Sequence, residues 1–482
     1  MEKQKFLITT AIDYCNDVIH IGQAYEKMLA DSYARHHRKI NGDDNVYFLT
    51  GTDEHGTTNE KAAAKKGITT KEHVDEVSKM DQNEIDALTI SYNRFIRTTD
   101  EDHKKIAADF FQKSLDAGKI YKGTYEGLYC EGCEAYKTLT ELNEDGQCPL
   151  HTTREIQKYE EENYFFRWSD YSAFLKELIT SDRLKVRPEG KKKEMLAFID
   201  QGLQDIPVTR PKFKLPWGIT APNDPDQVIY VWYDALINYY TAGSENNFWN
   251  EDTTITHFVG KDIARWHTLL WPAMLESAGY RLPDAVYVHG FMNLNGQKIS
   301  KSRGNVIRPT DLVEKYGAEA VRYYFLKNGP ISEDVDVSID HFEEVYMGDL
   351  ANGLGNLVSR TATLLEKAGY ETSPANYSHY PLTETMNERW EHYRVDQVLL
   401  EIWEKVRSLD KYLDETKPWI LLKEENPLAE KHLPVWQTLV TEIREISLLI
   451  EPFLPETAQK IQEQFAGTTI HSADGLFPRL EK

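Results

Sequence analysis

Three cysteines and a histidine share one short stretch: Cys130-Glu-Gly-Cys133, fourteen residues, then Cys148-Pro-Leu-His151. Three thiolates and one imidazole complete a tetrahedral zinc site and leave no position for a substrate, so the role expected of Zn2+ is structural. A second chemistry is suggested near the start, where His20-Ile21-Gly22-Gln23 follows a short apolar run and opens a helical pattern. An imidazole there can donate to a phosphate oxygen, and Gly22 lets a nucleotide come close. A third is Lys298-Ile299-Ser300-Lys301-Ser302, preceded by Gly296-Gln297. It is polar, follows a strand pattern, and carries two ammonium groups able to close on a polyphosphate as a clamp. Taken singly, His20 reads as a helix cap and the lysines as a basic surface loop.

Such residues need a frame. Strand-like runs at 5–10, 45–50 and 94–98 alternate with helical patterns at 20–39, after Gly56 and at 100–117, which predicts an α/β fold with a doubly wound parallel, Rossmann-like sheet. Near Lys119 the pattern gives way to aromatic, glycine-punctuated sequence holding the cysteine cluster. It resumes at 228–232, at 254–259 with a helix from Asp262, and at 285–289. The sheet is therefore expected to be split by an insertion of about a hundred residues. Downstream, 321–326, 350–367, 388–413 and 435–465 place apolar residues three and four apart, which predicts an all-α C-terminal domain. The expected division is 1–117 and 227–320 for the two halves of the sheet domain, 118–226 for the insertion, 321–345 for a linking region and 346–482 for the helices.

Composition limits the partners. Of 482 residues, 78 are acidic and 56 basic, a formal charge of −22. That charge repels nucleic acid overall, so any RNA contact must come from local basic groups and shaped pockets. No apolar run approaches the ~18 to 20 residues that span a bilayer, and the opening reads as a strand, so no membrane association and a cytoplasmic location are expected. Four cysteines, three of them clustered, do not make a disulfide framework.

The pair His20-Ile21-Gly22 and Lys298-Ile-Ser-Lys301-Ser resembles the signature of the class I aminoacyl-tRNA synthetases. Further blocks, namely Tyr14 ahead of His20, Gly51-Thr-Asp53-Glu-His-Gly56, Val231-Trp232-Tyr-Asp-Ala235, Gly260-Lys-Asp262-Ile263 and Gly290-Phe291, are similar in order and context to the methionyl-tRNA synthetase family, from Phe6 to about Phe465. The resemblance implies a methionine–tRNA ligase that makes methionyl-adenylate from L-methionine and ATP and passes the methionyl group to tRNA(Met). It also implies a zinc knuckle in the insertion, Mg2+ with ATP, and a C-terminal anticodon-binding bundle.

Residue by residue, the resemblance assigns a methionine pocket to Ile12, Tyr14, Asp53, Trp232, Ala235, Tyr239, Ile263 and His267. A carboxylate at Asp53 suits the substrate ammonium, and the aromatic residues suit a thioether through sulfur–aromatic contact. Without the resemblance, Trp232 and Tyr239 would read as core aromatics. Catalytic contacts fall to His20, Gln23, Lys298 and Lys301, and further ATP contacts to Gly22, Glu26, Gly260, Asp262 and Ser300. Asn356 and Arg360, four apart on a helix, and Trp419 after Pro418 are the expected anticodon readers; the plain alternative for Trp419 is a helix anchor. The family pattern is departed from in three places: Gln23 stands where a second His is usual, Leu236 where bacterial relatives often have Pro, and His151 where the last zinc ligand is commonly Cys. The chain ends soon after the bundle, without the appended dimerising domain of many relatives, so a monomer is expected. Two competing readings are a non-catalytic synthetase-like RNA-binding protein, suggested by Gln23, and a cysteinyl-type synthetase. The retained lysines oppose the first, and the placement of the thiols in the insertion opposes the second.

Overall fold

The computed structural model describes residues 3–480 except 131, 134, 138, 153 and 300–305. Two compact units divide the chain. The first comprises Met1–Ile19, Asn45–Glu84 and Tyr92–Val288; the second comprises His20–Asp44, Ile85–Ser91 and His289–Lys482.

The first unit is built on a seven-stranded sheet. Its order runs Asp13–Tyr14, Val46–Asp53, Lys5–Thr10, Thr253–Gly260, Ala285–His289, Lys185–Arg187, with Arg94–Arg97 also paired to Val46–Asp53. Lys5–Thr10 pairs in parallel with both Val46–Asp53 and Thr253–Gly260. All eight residues of Val46–Asp53 are buried, as expected of a parallel strand covered on both faces. The order of strands reverses at Lys5–Thr10, and in such sheets ligands bind beyond the carboxyl ends at that reversal. Gly51 is fixed by the neighbouring strand: a Cβ there would lie 1.9 Å from the carbonyl oxygen of Ile96. This α/β architecture with a parallel sheet and an inserted Cys/His cluster bears out the expected fold class.

Two expectations are corrected. Residues 228–232 do not resume the sheet: Gln227–Ile229 pairs antiparallel with Thr209–Pro211, and Val231–Leu236 is a helix. The β-branched and aromatic run has strand propensity, but burial of Val231, Tyr233, Asp234 and Ala235 selects the helix. The insertion is also not separate from the sheet, because Lys185–Arg187 pairs in parallel with Ala285–His289 and forms its edge. The rest of the insertion centres on a long antiparallel hairpin, Ile120–Cys130 against Ile156–Phe166, flanked by Ala135–Lys137 and Ile206–Pro207.

The second unit is mainly helical. The helix Ile21–Asn41 packs with Ala318–Asn328, and the C-terminal helices are Asn356–Ala368, Glu384–Glu391, Val395–Thr416, Leu433–Ile450 and Pro455–Gln464. The patterns at 388–413 and 435–465 each break once. Tyr393, at φ +58°, ends the first of these helices, and Pro455 starts the last. Buried Trp403 and Trp436 mark the core of the bundle. No helix among the described residues is long and apolar enough to cross a membrane.

Candidate active site and metal centre

At the carboxyl end of the first strand, Tyr14 pairs with Asp53, and the Cys15 N–H donates to the Asp53 carbonyl at 3.0 Å. The Asp53 side chain is buried. Ile12, Trp232 and Ile263 each pack against the same apolar cluster, which includes Tyr239 and Trp266. The indoles of Trp232 and Trp266 stack with centroids 5.0 Å apart, 19° from parallel, and Trp232 Nε1 donates to the Cys133 carbonyl at 3.4 Å. Ala235, one turn on from Trp232, is buried.

His267 lies in a single π-turn, Trp266–Leu270, a distortion common at functional sites. Its Nδ1 is 3.0 Å from the Ile263 carbonyl, which can only accept, so Nδ1 carries the proton. Nε2 then accepts from the Tyr239 hydroxyl at 2.7 Å. The phenol is thereby held in one orientation, a polar group inside an aromatic wall. Gly260 closes its strand, the Ile263 N–H donates to the Gly260 carbonyl, and Asp262 is exposed between them.

The loop after Asp53 contains residues that the sequence reading passed over. Glu54 is fully buried and receives Arg97 through Nε at 2.5 Å and Nη2 at 2.9 Å, with Thr52 and Thr99 hydroxyls at 2.9 and 2.5 Å. His55 Nδ1 lies 2.6 Å from Asp234 Oδ2, and His103 Nε2 lies 2.7 Å from Asp234 Oδ1. Burial alone would raise the Asp234 carboxyl; the two imidazoles outweigh it and hold it at about 2. Glu54, His55 and Asp234 fall within the sequence motifs around Asp53 and Trp232, whereas His103 falls in none of them.

In the second unit, His20 caps the helix Ile21–Asn41. Its Nδ1 accepts from the Gly22 N–H at 3.1 Å, and the His20 N–H donates to Gln23 Oε1 at 3.1 Å. This reciprocal capping box fixes the ring and directs the amide nitrogen of Gln23 away from the cap. The other N–H groups of the first turn are engaged as well: that of Ile21 donates to the Ile307 carbonyl at 2.9 Å, and those of Gln23 and Ala24 to the His20 carbonyl at 3.0 and 3.1 Å. Glu26 is buried, its carboxylate met by His289 Nε2 at 3.1 Å and Lys27 at 3.5 Å. Lys298 belongs to the short strand Gln297–Lys298, paired with Met292–Leu294. Ser300 and Lys301 lie outside the described residues.

Of the proposed anticodon readers, Arg360 and Trp419 come together: the guanidinium sits 5.7 Å from the indole centroid. Arg360 also pairs with Asp410 at 3.1 Å and Asp414 at 3.4 Å. These two carboxylates line a cleft of about 550 Å³ with Asn352, Val406, Arg407 and Lys411. Asn356, one turn before Arg360, is partly exposed. Pro418 is buried at the first turn of its short helix, so the segment is anchored by the proline and leaves Trp419 half-buried.

The donor atoms of Cys130, Cys133, Cys148 and His151 all lie within 4.8 Å of one another. His151 Nδ1 is 3.3 Å from Cys133 Sγ, 3.8 Å from Cys130 Sγ and 4.0 Å from Cys148 Sγ. Tetrahedral zinc with bonds of ~2.0 Å to nitrogen and ~2.3 Å to sulfur separates its ligands by about 3.5 to 3.8 Å. The donor set therefore fits zinc. Gly132 makes room for it, since a Cβ there would meet His151 at 2.4 Å.

The sequence model for tRNA synthetases class I (M) matches residues 6–160 and 150–362. The chain belongs to this family. The methionine–tRNA ligase of Caldanaerobacter subterraneus subsp. tengcongensis is 39% identical over 99% of this chain and 79% of its own, and that of a Nostoc species 38% over 96% and 90%. The solved Mycobacterium tuberculosis methionyl-tRNA synthetase in complex with methionyl-adenylate superposes with a TM-score of 0.89 at 33% identity, covering 99% of this chain and 100% of that one. These matches bear out the expected class I aminoacyl-tRNA synthetase, an enzyme of the methionine–tRNA ligase family.

Proposed function

We propose that the chain activates L-methionine with ATP, taken as its magnesium complex, and transfers the methionyl group to tRNA(Met). The carrying observation is the Tyr239–His267–Ile263 chain of hydrogen bonds beside the stacked Trp232 and Trp266. It offers a thioether a flat, polarizable wall and one fixed hydroxyl, a combination suited to methionine. Asp53 takes the substrate ammonium, with Ile12, Tyr14, Ala235 and Ile263 completing the pocket.

In the first step a methionine carboxylate oxygen attacks the α-phosphorus of ATP and pyrophosphate leaves. In the second, the 2′-hydroxyl of the terminal adenosine attacks the methionyl carbonyl and AMP leaves. Neither attack needs a dedicated protein base, so rate comes from positioning and from stabilising charge at phosphorus. His20 and Gln23 hold phosphates, with Gly22 and Glu26 shaping the helix start. Gly260 and Asp262 contact the adenosine, and Lys298, Ser300 and Lys301 contact the pyrophosphate. Asn356, Arg360 and Trp419 read the anticodon.

In this reading 1–117 and 227–320 are the catalytic domain, 118–226 the zinc-bearing insertion, 321–345 a link and 346–482 the anticodon-binding domain, in a cytoplasmic enzyme. Zinc held by Cys130, Cys133, Cys148 and His151 supplies structural cross-linking of the hairpin end. ATP–pyrophosphate exchange with a panel of amino acids tests the proposal. Exchange dependent on methionine is expected; exchange with another amino acid, or with none, overturns it.

A further inference from the structure

One buried carboxylate joins three elements of the first unit. Asp234 lies on the helix Val231–Leu236, between Trp232 and Ala235. His55 is two residues beyond Asp53, and His103 is on the helix Glu101–Asp116. None of the three side chains is more than 5% exposed. A carboxylate only accepts, so each imidazole directs an N–H to its own oxygen, at 2.6 and 2.7 Å. On the far side, His103 Nδ1 lies 3.2 Å from the Thr241 hydroxyl. Trp217 covers the loop: its Nε1 donates to the Glu54 carbonyl at 2.8 Å, and its ring meets His55 edge-on at 5.9 Å.

We infer that Asp234 and His55 are positioning residues, which align Asp53 against the helix carrying Trp232. The argument is geometric. Asp53 ends a strand, and the contacts of the two residues that follow hold the backbone on which it sits. Glu54 is clamped by Arg97, so rotation of the loop about the strand axis is opposed on that side. The His55–Asp234 bond fixes the other side, and it does so to the helix that supplies the aromatic wall. An ammonium pocket and a thioether pocket on separate elements need such a tie to keep their spacing, because a shift of about 1 Å at a positioning contact costs roughly a hundredfold. The two histidines on one carboxylate also leave neither of its oxygens unpaired in the core. The inference rests on the reading of Asp53 as the ammonium partner.

The test exploits the two nitrogens of an imidazole. An asparagine amide nitrogen can stand where Nδ1 stands, a glutamine amide nitrogen where Nε2 stands, and both are polar residues of similar size. In methionine-dependent exchange, His55→Asn should keep the methionine KM within about threefold of wild type, while His55→Gln should raise it about tenfold or more, ~1.4 kcal/mol, with the ATP KM unchanged in both. In an Asp53→Asn background the gap between the two variants should close, because the tie acts through Asp53. Equal methionine KM values for His55→Asn and His55→Gln overturn the inference, as does a parallel rise in the ATP KM. An Asp53→Asn variant with wild-type methionine KM would instead remove the ammonium assignment, a separate failure.

Discussion

Arg322 meets Asp31 at 2.7 Å with neither side chain exposed to solvent. The rest of the guanidinium is satisfied by main-chain carbonyls, Phe453 at 2.8 Å and Leu88 and Pro452 at 3.2 Å. Asp31 also accepts from Arg35 at 2.8 Å and from the Ser91 N–H at 2.8 Å. The helix that begins at His20 is thus fixed to the turn at 85–91 and to the end of the helix Leu433–Ile450.

Removing one partner strands the other as a buried charge. Arg322→Met should destabilise by about 3 to 5 kcal/mol, and adding Asp31→Leu should recover much of that loss. Urea unfolding of the single and double variants measures it; additive losses would mean the two residues do not act as a pair.

The same carboxylate gives a pH dependence. Burial alone would raise the Asp31 carboxyl; Arg35 and Arg322 outweigh it and lower it from 3.8 to about 2. A folded value below the unfolded one stabilises above the unfolded value. The contribution is therefore complete above pH ~4 and lost as pH falls toward 2, roughly 2 to 3 kcal/mol in all. Asp31→Asn should flatten that part of the acid-unfolding curve, and an unchanged curve would count against the assignment.

Zinc should be present at about one atom per chain in protein purified without chelator. Cys148→Ser or a strong chelator should open residues 120–155 to protease while the parallel sheet persists. Metal analysis that finds none in fresh protein would remove the knuckle.

Gln23 supports the cap that orients His20, so Gln23→Ala should cost about 0.5 to 2 kcal/mol of stability. Gln23→His should change exchange by less than about tenfold, ~1.4 kcal/mol, because an amide donates to phosphate as a neutral imidazole does. A wild-type chain inert in exchange and rescued by Gln23→His would favour the non-catalytic reading.

Trp419→Ala should spare adenylate formation and lower tRNA charging by roughly 5- to 150-fold, the value of ~1 to 3 kcal/mol of base stacking. Exchange and charging measured on one preparation decide it. Equal losses would identify Trp419 as the anchor that its place after Pro418 also allows.

What the sequence disclosed was local. Cys130, Cys133, Cys148 and His151 show their spacing in 22 letters, and their donor atoms come within 4.8 Å of one another. The sheet was legible because buried strands and amphipathic helices differ in period. Trp232 was misplaced on a strand because β-branched neighbours report propensity, while its helix is chosen by tertiary burial. Lys185–Arg187 is three residues long, too short to carry a period, and was lost in the insertion. Asp234 escaped notice because its partners His55 and His103 are 179 and 131 residues away, and His103 follows Asp100-Glu-Asp102, which reads as a solvated face.

The second unit gathers residues 20–44, 85–91 and 289–482. During synthesis its first helix leaves the ribosome early, yet Arg322 and the carbonyls of Pro452 and Phe453 emerge only when most of the chain has been made. At ~5 to 20 residues per second that delay lasts roughly 20 to 90 seconds, with an apolar-backed helix that carries the buried Asp31 waiting for its partners. The nascent chain therefore cannot complete the His20-bearing unit domain by domain from its N-terminus, and truncations that stop before Phe453 should depend on chaperones in a way that the finished chain does not.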